Sequence, residues 1–134
     1  MKVPDTSLIV PALAEWLPQH DVAGSALSPA GRVVGHCLIE AYSVLTRLSE
    51  PHRLASSIAS EALARLFRTT LVLDDEITRT IPSRLHAAGI RGGATSDGVI
   101  ALIAAHHEAT LVTLDAKAAG TYRACGVRFE LVGA

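Results

Sequence analysis

Aromatic side chains are scarce in this chain, at 4% of the sequence, with one Trp, two Tyr and two Phe. Single-strand binders stack bases on aromatic platforms, so a surface of that kind is not expected. No sign of charge dominates either. Twelve Lys and Arg stand against thirteen Asp and Glu, a formal net charge of −1, whereas a domain that grips long nucleic acid by charge alone is clearly basic. Any nucleic-acid contact should therefore be short and local, or helped by bound cations. The two cysteines, Cys37 and Cys125, lack CxxC spacing and lie in apolar runs. They read as reduced core thiols of a cytoplasmic protein.

Long apolar runs are also missing. The longest uncharged stretch, near residues 98–105, is far short of the roughly 20 residues a membrane span needs. Pro4, Asp5 and Pro11 interrupt any apolar leader after Lys2, so a soluble, cytoplasmic protein with no membrane contact is expected. What the chain does have is 49% hydrophobic residues over 134 positions. That fits one compact domain, residues 1–134, able to bury roughly two-thirds of its unfolded surface.

Along the chain, short apolar strands alternate with helical patterns. Residues 2–5 are extended, and TSLIVPALAEWL has helical spacing with Thr6 or Ser7 as cap and Pro11 near the start. Residues 17–31 read as a loop with room for a short helix. A strand over 32–36 precedes a helix over CLIEAYSVLTRL, ended by Pro51. The next helix, over 53–68, places Leu54, Ile58, Leu63, Leu66 and Phe67 near one face. TTLVL (69–73) is a buried strand, and one helix is expected over 74–89, with acids at its start and Gly89 at its end. After the loop GIRGGAT comes SDGVIALIAAHH, capped by Ser96 or Asp97. The strand ATLVTLD, a short helix over 116–125 and a last strand over 127–132 follow. This order predicts an α/β fold, three layers with a central parallel sheet.

The acids fall where such a sheet builds sites. Asp5 follows the first strand and Asp115 the strand LVTL, while Glu40 lies early in the helix after the second strand. Asp97 opens the helix that feeds the strand ending at Asp115. Carboxyl ends of parallel strands share one edge, where ligands bind. Taken singly, Asp97 and Asp115 are ordinary helix caps and Asp5 could equally be a turn residue. Glu40 stands out among the apolar Leu38, Ile39, Ala41 and Tyr42, with a solvated helix face as its alternative. Taken together they repel, by about 4 kcal/mol per pair at 4 Å and an effective dielectric near 20. Protons or cations must offset that cost. Hard ions such as Mg²⁺ or Mn²⁺ take oxygen ligands and keep waters, which points to metal-assisted phosphodiester hydrolysis.

VPDTSLIVPAL, CLIEAYSVLTRL and SDGVIALIAAHHEATLVTLDAKAAG occur in this order across nearly the whole chain. They resemble the opening, the acid-bearing helix and the final block of PIN-domain toxins from bacterial VapBC toxin–antitoxin pairs. The resemblance implies a Mg²⁺- or Mn²⁺-dependent endoribonuclease whose catalytic and metal-binding acids are Asp5, Glu40, Asp97 and Asp115. Thr6, Ser7 and Thr113 are then expected to support carboxylates or water, and Lys117 to contact RNA. It also implies a cognate antitoxin that occupies the acidic groove, with a homodimer or toxin–antitoxin hetero-oligomer as the assembly. Helices carrying Leu13, Trp16, Leu45 and Leu63 offer apolar side chains for which ordinary core packing is the first expectation and a surface for such a partner or a homodimer the second. Two departures stand out. Gly98 replaces a frequent Ala, and Ala116, Lys117, Ala118 and Ala119 lack a large apolar residue.

Other signals carry less. HEATL lacks the second His of a zincin helix, and GIRGGA lacks the Lys-Ser/Thr of a phosphate-binding loop. His20, His36, His52 and His86 receive no role. Asp74 and Asp75 suit a helix start better than a phosphoacceptor site. Arg79, Arg84 and Arg91, like Arg123 and Arg128 near the C-terminus, read as solvated or as RNA phosphate contacts. Two rival readings remain: a general PIN or 5′-nuclease without toxicity, and a catalytically idle binding module.

Overall fold

The computed structural model describes residues 1–133. Strand β1 (Lys2–Pro4) leads into helix α1 (Thr6–Leu13), then α2 (His20–Ala26), β2 (Arg32–Val34), α3 (Gly35–Thr46) and α4 (Ser56–Leu66). These are followed by β3 (Thr69–Leu71), α5 (Asp75–Thr78), α6 (Ile81–Ala87), α7 (Thr95–His106), β4 (Thr110–Thr113), α8 (Ala119–Ala124) and β5 (Arg128–Leu131). Short 3₁₀ turns, Gly92–Ala94 and Ala116–Ala118, introduce α7 and α8. The strands pair in parallel as β1-β4-β5 and β2-β3, and β1 lies beside β2. Every parallel pair needs a crossover, and the helices supply it.

Successive side chains of a strand point to opposite faces, and β4 shows what covers each. Leu111 enters the main core with Val3, Val33, Cys37, Ala41, Ile100 and Ala104. Val112 packs on the other face against Leu8 and Ala23. Helices thus cover both faces, giving the three layers that the alternation predicts. In α7, Ile100, Leu102 and Ile103 are buried, each contributing about 1.5–3 kcal/mol by leaving water.

Helix boundaries differ from the sequence reading where proline intervenes. The helix expected over 6–17 stops at Leu13, two residues past Pro11, which it accommodates; beyond it, Pro18 disfavours helical backbone at Leu17. The His20 ring donates from Nδ1 to the Pro11 carbonyl at 2.8 Å, and α2 begins there, inside the stretch read as loop. The single helix over 74–89 is two helices, since Pro82 lies in the first turn of α6 and cannot continue α5. Asp74 caps α5 by accepting from the Ile77 N–H at 2.9 Å, and Gly89 (φ 75°) follows the end of α6.

One expectation about faces is corrected: Ile58 is 53% exposed, while Leu63 and Phe67 of the same expected face are buried, together with Ala59. Leu45 and Leu63 are core residues and Leu13 packs against that core, so of the four residues weighed as partner contacts only Trp16 is exposed. Exposed apolar side chains lie instead at Ile39, Tyr42, Ile58 and Val72, and a groove lined by Leu38, Ile39, Tyr42, Leu63 and Phe67 separates α3 from α4.

Gly98 has a packing reason that local propensity hides. A Cβ there would stand 2.6 Å from Leu85 Cδ2 and 3.2 Å from Ile90 Cγ2, so glycine lets α6 approach α7 closely. The small residues after Asp115 are also accounted for. Ala118 is buried, and Tyr122, fully buried one helical turn later, supplies the bulk. Cys37 is buried and Cys125 half-buried, both as free thiols, and burial pushes the Cys37 thiol well above its ordinary range. Among the described residues no helix is long and apolar enough to cross a membrane.

Candidate acidic site

Parallel register brings the first acid to the edge of β4. Pro4 pairs with Val112, and the Asp5 N–H continues the ladder to the Val112 carbonyl at 3.0 Å. Asp5 therefore starts α1 at the carboxyl edge of the sheet, beside Thr113, and is 4% exposed. A buried carboxylate needs donors, and both of its oxygens have one. Ser7 Oγ donates to Oδ1 at 2.5 Å and the Tyr122 hydroxyl to Oδ2 at 2.6 Å. Burial, then the Asp5 charge, raise the Tyr122 phenol far above its ordinary value, so it keeps the proton it donates.

Counting protons orders the rest of this network. Ser7 has a single hydroxyl proton and gives it to Asp5, so its oxygen accepts from the Leu114 N–H at 2.9 Å and from Thr113 Oγ1 at 3.1 Å. Thr113 in turn accepts from the Asp115 N–H at 3.0 Å. A chain of donors thus runs from the backbone of Asp115 to the carboxylate of Asp5. The Asp115 side chain accepts the Lys117 N–H at 2.9 Å, which caps the 3₁₀ turn. Asp115 is half-buried, and the Lys117 side chain beyond it is exposed.

Glu40 occupies the second turn of α3, half-buried. Thr6 Oγ1 donates to its Oε1 at 2.8 Å, and the Ser96 hydroxyl donates to Oε2. Beside it lies a cleft of about 380 Å³ lined by Thr6, His36, Ser43, Arg47 and Ser96. Asp97 does not cap α7, and neither does Ser96. Ala94 holds the cap position and Asp97 is the third helical residue, in the positive first turn. The reason is that the 3₁₀ turn Gly92–Ala94 runs directly into the helix, moving its start upstream.

Asp97 reports on the whole cluster. Its carboxyl is raised above the ordinary 3.8, first by burial and then by the charges of Asp5, Asp115 and Glu40. All four influences push the same way. Asp5, Asp115 and Glu40 are therefore each within electrostatic reach of Asp97. They do not form a closed cage: among the described residues, no three His, Cys, Asp or Glu side chains converge closely enough to hold an ion between them.

Two contributors were invisible in the sequence reading. Tyr122 had no role there, and Ser96 had only the cap. Their partners lie 117 and 56 residues away in the chain, and no local pattern signals such a contact. For Ser96 the one available cue was its place beside Asp97. The histidines and the Asp74–Asp75 pair stay outside the cluster except for His36, whose Nε2 lies 2.9 Å from Ser96 Oγ.

The PIN-domain family model matches residues 2–124. The chain belongs to the PIN-domain family. It is 37% identical to Ribonuclease VapC40 of Mycobacterium tuberculosis over 133 residues, covering 98% of this chain and 99% of that protein. It is 42% identical to Ribonuclease VapC27 of the same species over 125 residues, covering 92% and 90%. The fold is also that of FitAB bound to the IR36 DNA fragment (TM-score 0.70, 18% identity, 98% of this chain and 94% of that one). The crystal structure of FitAcB from Neisseria gonorrhoeae is similar too (TM-score 0.65, 20% identity, 96% of each chain). These two likenesses speak to fold alone.

Proposed function

We propose that this PIN domain is a VapC-type endoribonuclease toxin that hydrolyses RNA phosphodiester bonds with Mg²⁺ or Mn²⁺. The observation that carries the reading is the gathering of acids at one sheet edge. Asp5 stands at the end of β1 beside Thr113, Glu40 is bonded to Thr6 and Ser96, and Asp97 is next to Ser96, its carboxyl raised by burial and by the charges of Asp5, Asp115 and Glu40. Near-full-length identity to two proteins named ribonucleases supports the choice of RNA.

The residues suit a hard divalent cation. All four donors are carboxylates, the neighbouring Cys37 thiol is held protonated by burial, and every charge acting on the Asp97 carboxyl raises it, with none offsetting. An open arrangement agrees with ions that keep several waters and are held by few carboxylates plus substrate phosphate. Asp5, Glu40, Asp97 and Asp115 would hold the ion, which when bound supplies Lewis-acid stabilisation of phosphate charge and lowers the pKa of a bound water. The protein's own contribution is placement. Ser7 and Tyr122 fix the Asp5 carboxylate, Thr6 and Ser96 fix that of Glu40, and the first turn of α7 presents Asp97. Lys117, exposed two residues past Asp115, is the proposed phosphate contact.

A cytoplasmic RNase of this kind needs restraint, and the toxin reading assigns that task to an antitoxin. A basic residue inserted among the four carboxylates would supply the missing counter-charge, and shielded charge pairs across an interface contribute several kcal/mol. Expression of this chain alone should arrest growth, and co-expression of the protein encoded immediately upstream should restore it. Harmless expression of a protein that is active in vitro would leave a general nuclease and remove the toxin.

A further inference from the structure

We propose that His36 and Ser96 form a clasp that sets the separation between Glu40 and Asp97, which makes both positioning residues of the acidic site. The proposal rests on the metal-dependent reading given above. Ser96 Oγ donates to Glu40 Oε2, and His36 Nε2 lies 2.9 Å from Ser96 Oγ. A serine hydroxyl has one proton. Ser96 gives that proton to Glu40, so its oxygen must accept, and His36 must carry a proton on Nε2. The direction of the chain is fixed: imidazole to hydroxyl to carboxylate.

Its placement gives the chain a function beyond satisfying polar groups. His36 is the second residue of α3 and Ser96 the second residue of α7. Glu40 lies one turn beyond His36 on α3, and Asp97 immediately follows Ser96 on α7. One pair of hydrogen bonds therefore ties together the two helix starts that carry two of the four acids. Thr6, from α1, holds the other oxygen of Glu40 at 2.8 Å, so the carboxylate cannot rotate away from the clasp without losing a second bond. Without Ser96, Glu40 Oε2 loses its donor and α7 loses its tether to α3 at the position next to Asp97.

Outer hydrogen-bond partners of metal-binding groups typically contribute about 10- to 100-fold to metal affinity or activity. Ser96→Ala should weaken Mn²⁺ binding, measured by calorimetry, by about tenfold or more. It should lower kcat by a similar factor and leave KM within about twofold, because substrate contacts are intact. His36→Ala should follow it in direction. Ser96→Thr keeps the hydroxyl and His36→Gln keeps an N–H at similar reach, so both should recover most of the loss. Nitrogen NMR of the wild-type imidazole should show His36 protonated at Nε2. The clasp is overturned if folded Ser96→Ala binds Mn²⁺ as the wild type does, if Ser96→Thr is as defective as Ser96→Ala, or if His36 carries its proton on Nδ1 alone. Wild-type protein that takes up no Mn²⁺ overturns the metal reading and the clasp together.

Discussion

Replacing Tyr122 by Phe tests the support of Asp5 with the smallest change available. The substitution removes one oxygen and keeps the ring, whose edge contact with Phe129 at a 5.7 Å centroid distance should persist. What is lost is the 2.6 Å donor to Asp5 Oδ2, at a site where tyrosine is fully buried and Asp5 is 4% exposed. Hydrogen bonds to charged groups contribute about 1.5–3 kcal/mol, and water cannot readily replace this one. Ser7 still serves Oδ1, so the carboxylate is not orphaned, and a loss of about 2 kcal/mol is expected. With an unfolding entropy of about 2.1 cal/mol/K per residue over 134 residues, the melting temperature should fall by about 7 °C. Urea unfolding should show a lower midpoint with unchanged slope. A variant within about 0.5 kcal/mol of wild type, which is ordinary for an uninvolved surface change, would refute the bond's contribution and with it the account of how Asp5 is held.

Three further outcomes follow from the same contacts. Gly98→Ala gains about 1 kcal/mol of helix propensity but forces a Cβ to 2.6 Å from Leu85 Cδ2, and overpacking costs about 1–3 kcal/mol. Urea unfolding should show net destabilisation near 1 kcal/mol, and a stabilised variant contradicts the packing argument. Because Asp97 is raised above 3.8, the folded protein holds that proton to higher pH than the unfolded chain. Its contribution to stability therefore declines as pH rises through that window. Asp97→Asn should remove this slope, raise the urea midpoint at neutral pH and abolish RNA cleavage; a midpoint below wild type at neutral pH contradicts the repulsion. Mn²⁺ at a hundredfold excess over Kd should stabilise the protein by about 2.7 kcal/mol, whereas stoichiometric zinc in protein prepared without metal would contradict a carboxylate site.

The parts of the fold legible from sequence were those governed by nearest neighbours. Val33, Val34 and Leu111–Thr113 lie in the strands their β-branched and apolar run predicts, and parallel register then places Asp5 beside Thr113. Asp74 and Gly89 mark helix ends through purely local chemistry. The break at Pro82 was visible in principle, since a proline cannot supply the N–H that a continuous helix requires. The displaced start of α7 was not, because the 3₁₀ turn before it has no strong signal in GGA. Gly98 looked like a weak helix residue, and its reason lies across the helix–helix contact with Leu85. The candidate site divides the same way. Its acids lie just past strand ends or early in helices, which spacing reveals. Tyr122, Ser96 and His36 meet them only through tertiary packing.

The central claim is that Asp5, Glu40, Asp97 and Asp115 act together as a metal-dependent RNA-cleaving site. The most direct test incubates purified wild-type protein and Asp97→Asn with total RNA, with Mn²⁺ and with chelator, and follows cleavage by sequencing new 5′ ends. The account predicts discrete cleavage by wild type in Mn²⁺ only, and none by the variant. Cleavage that persists in chelator, or at the wild-type rate in Asp97→Asn, would contradict it.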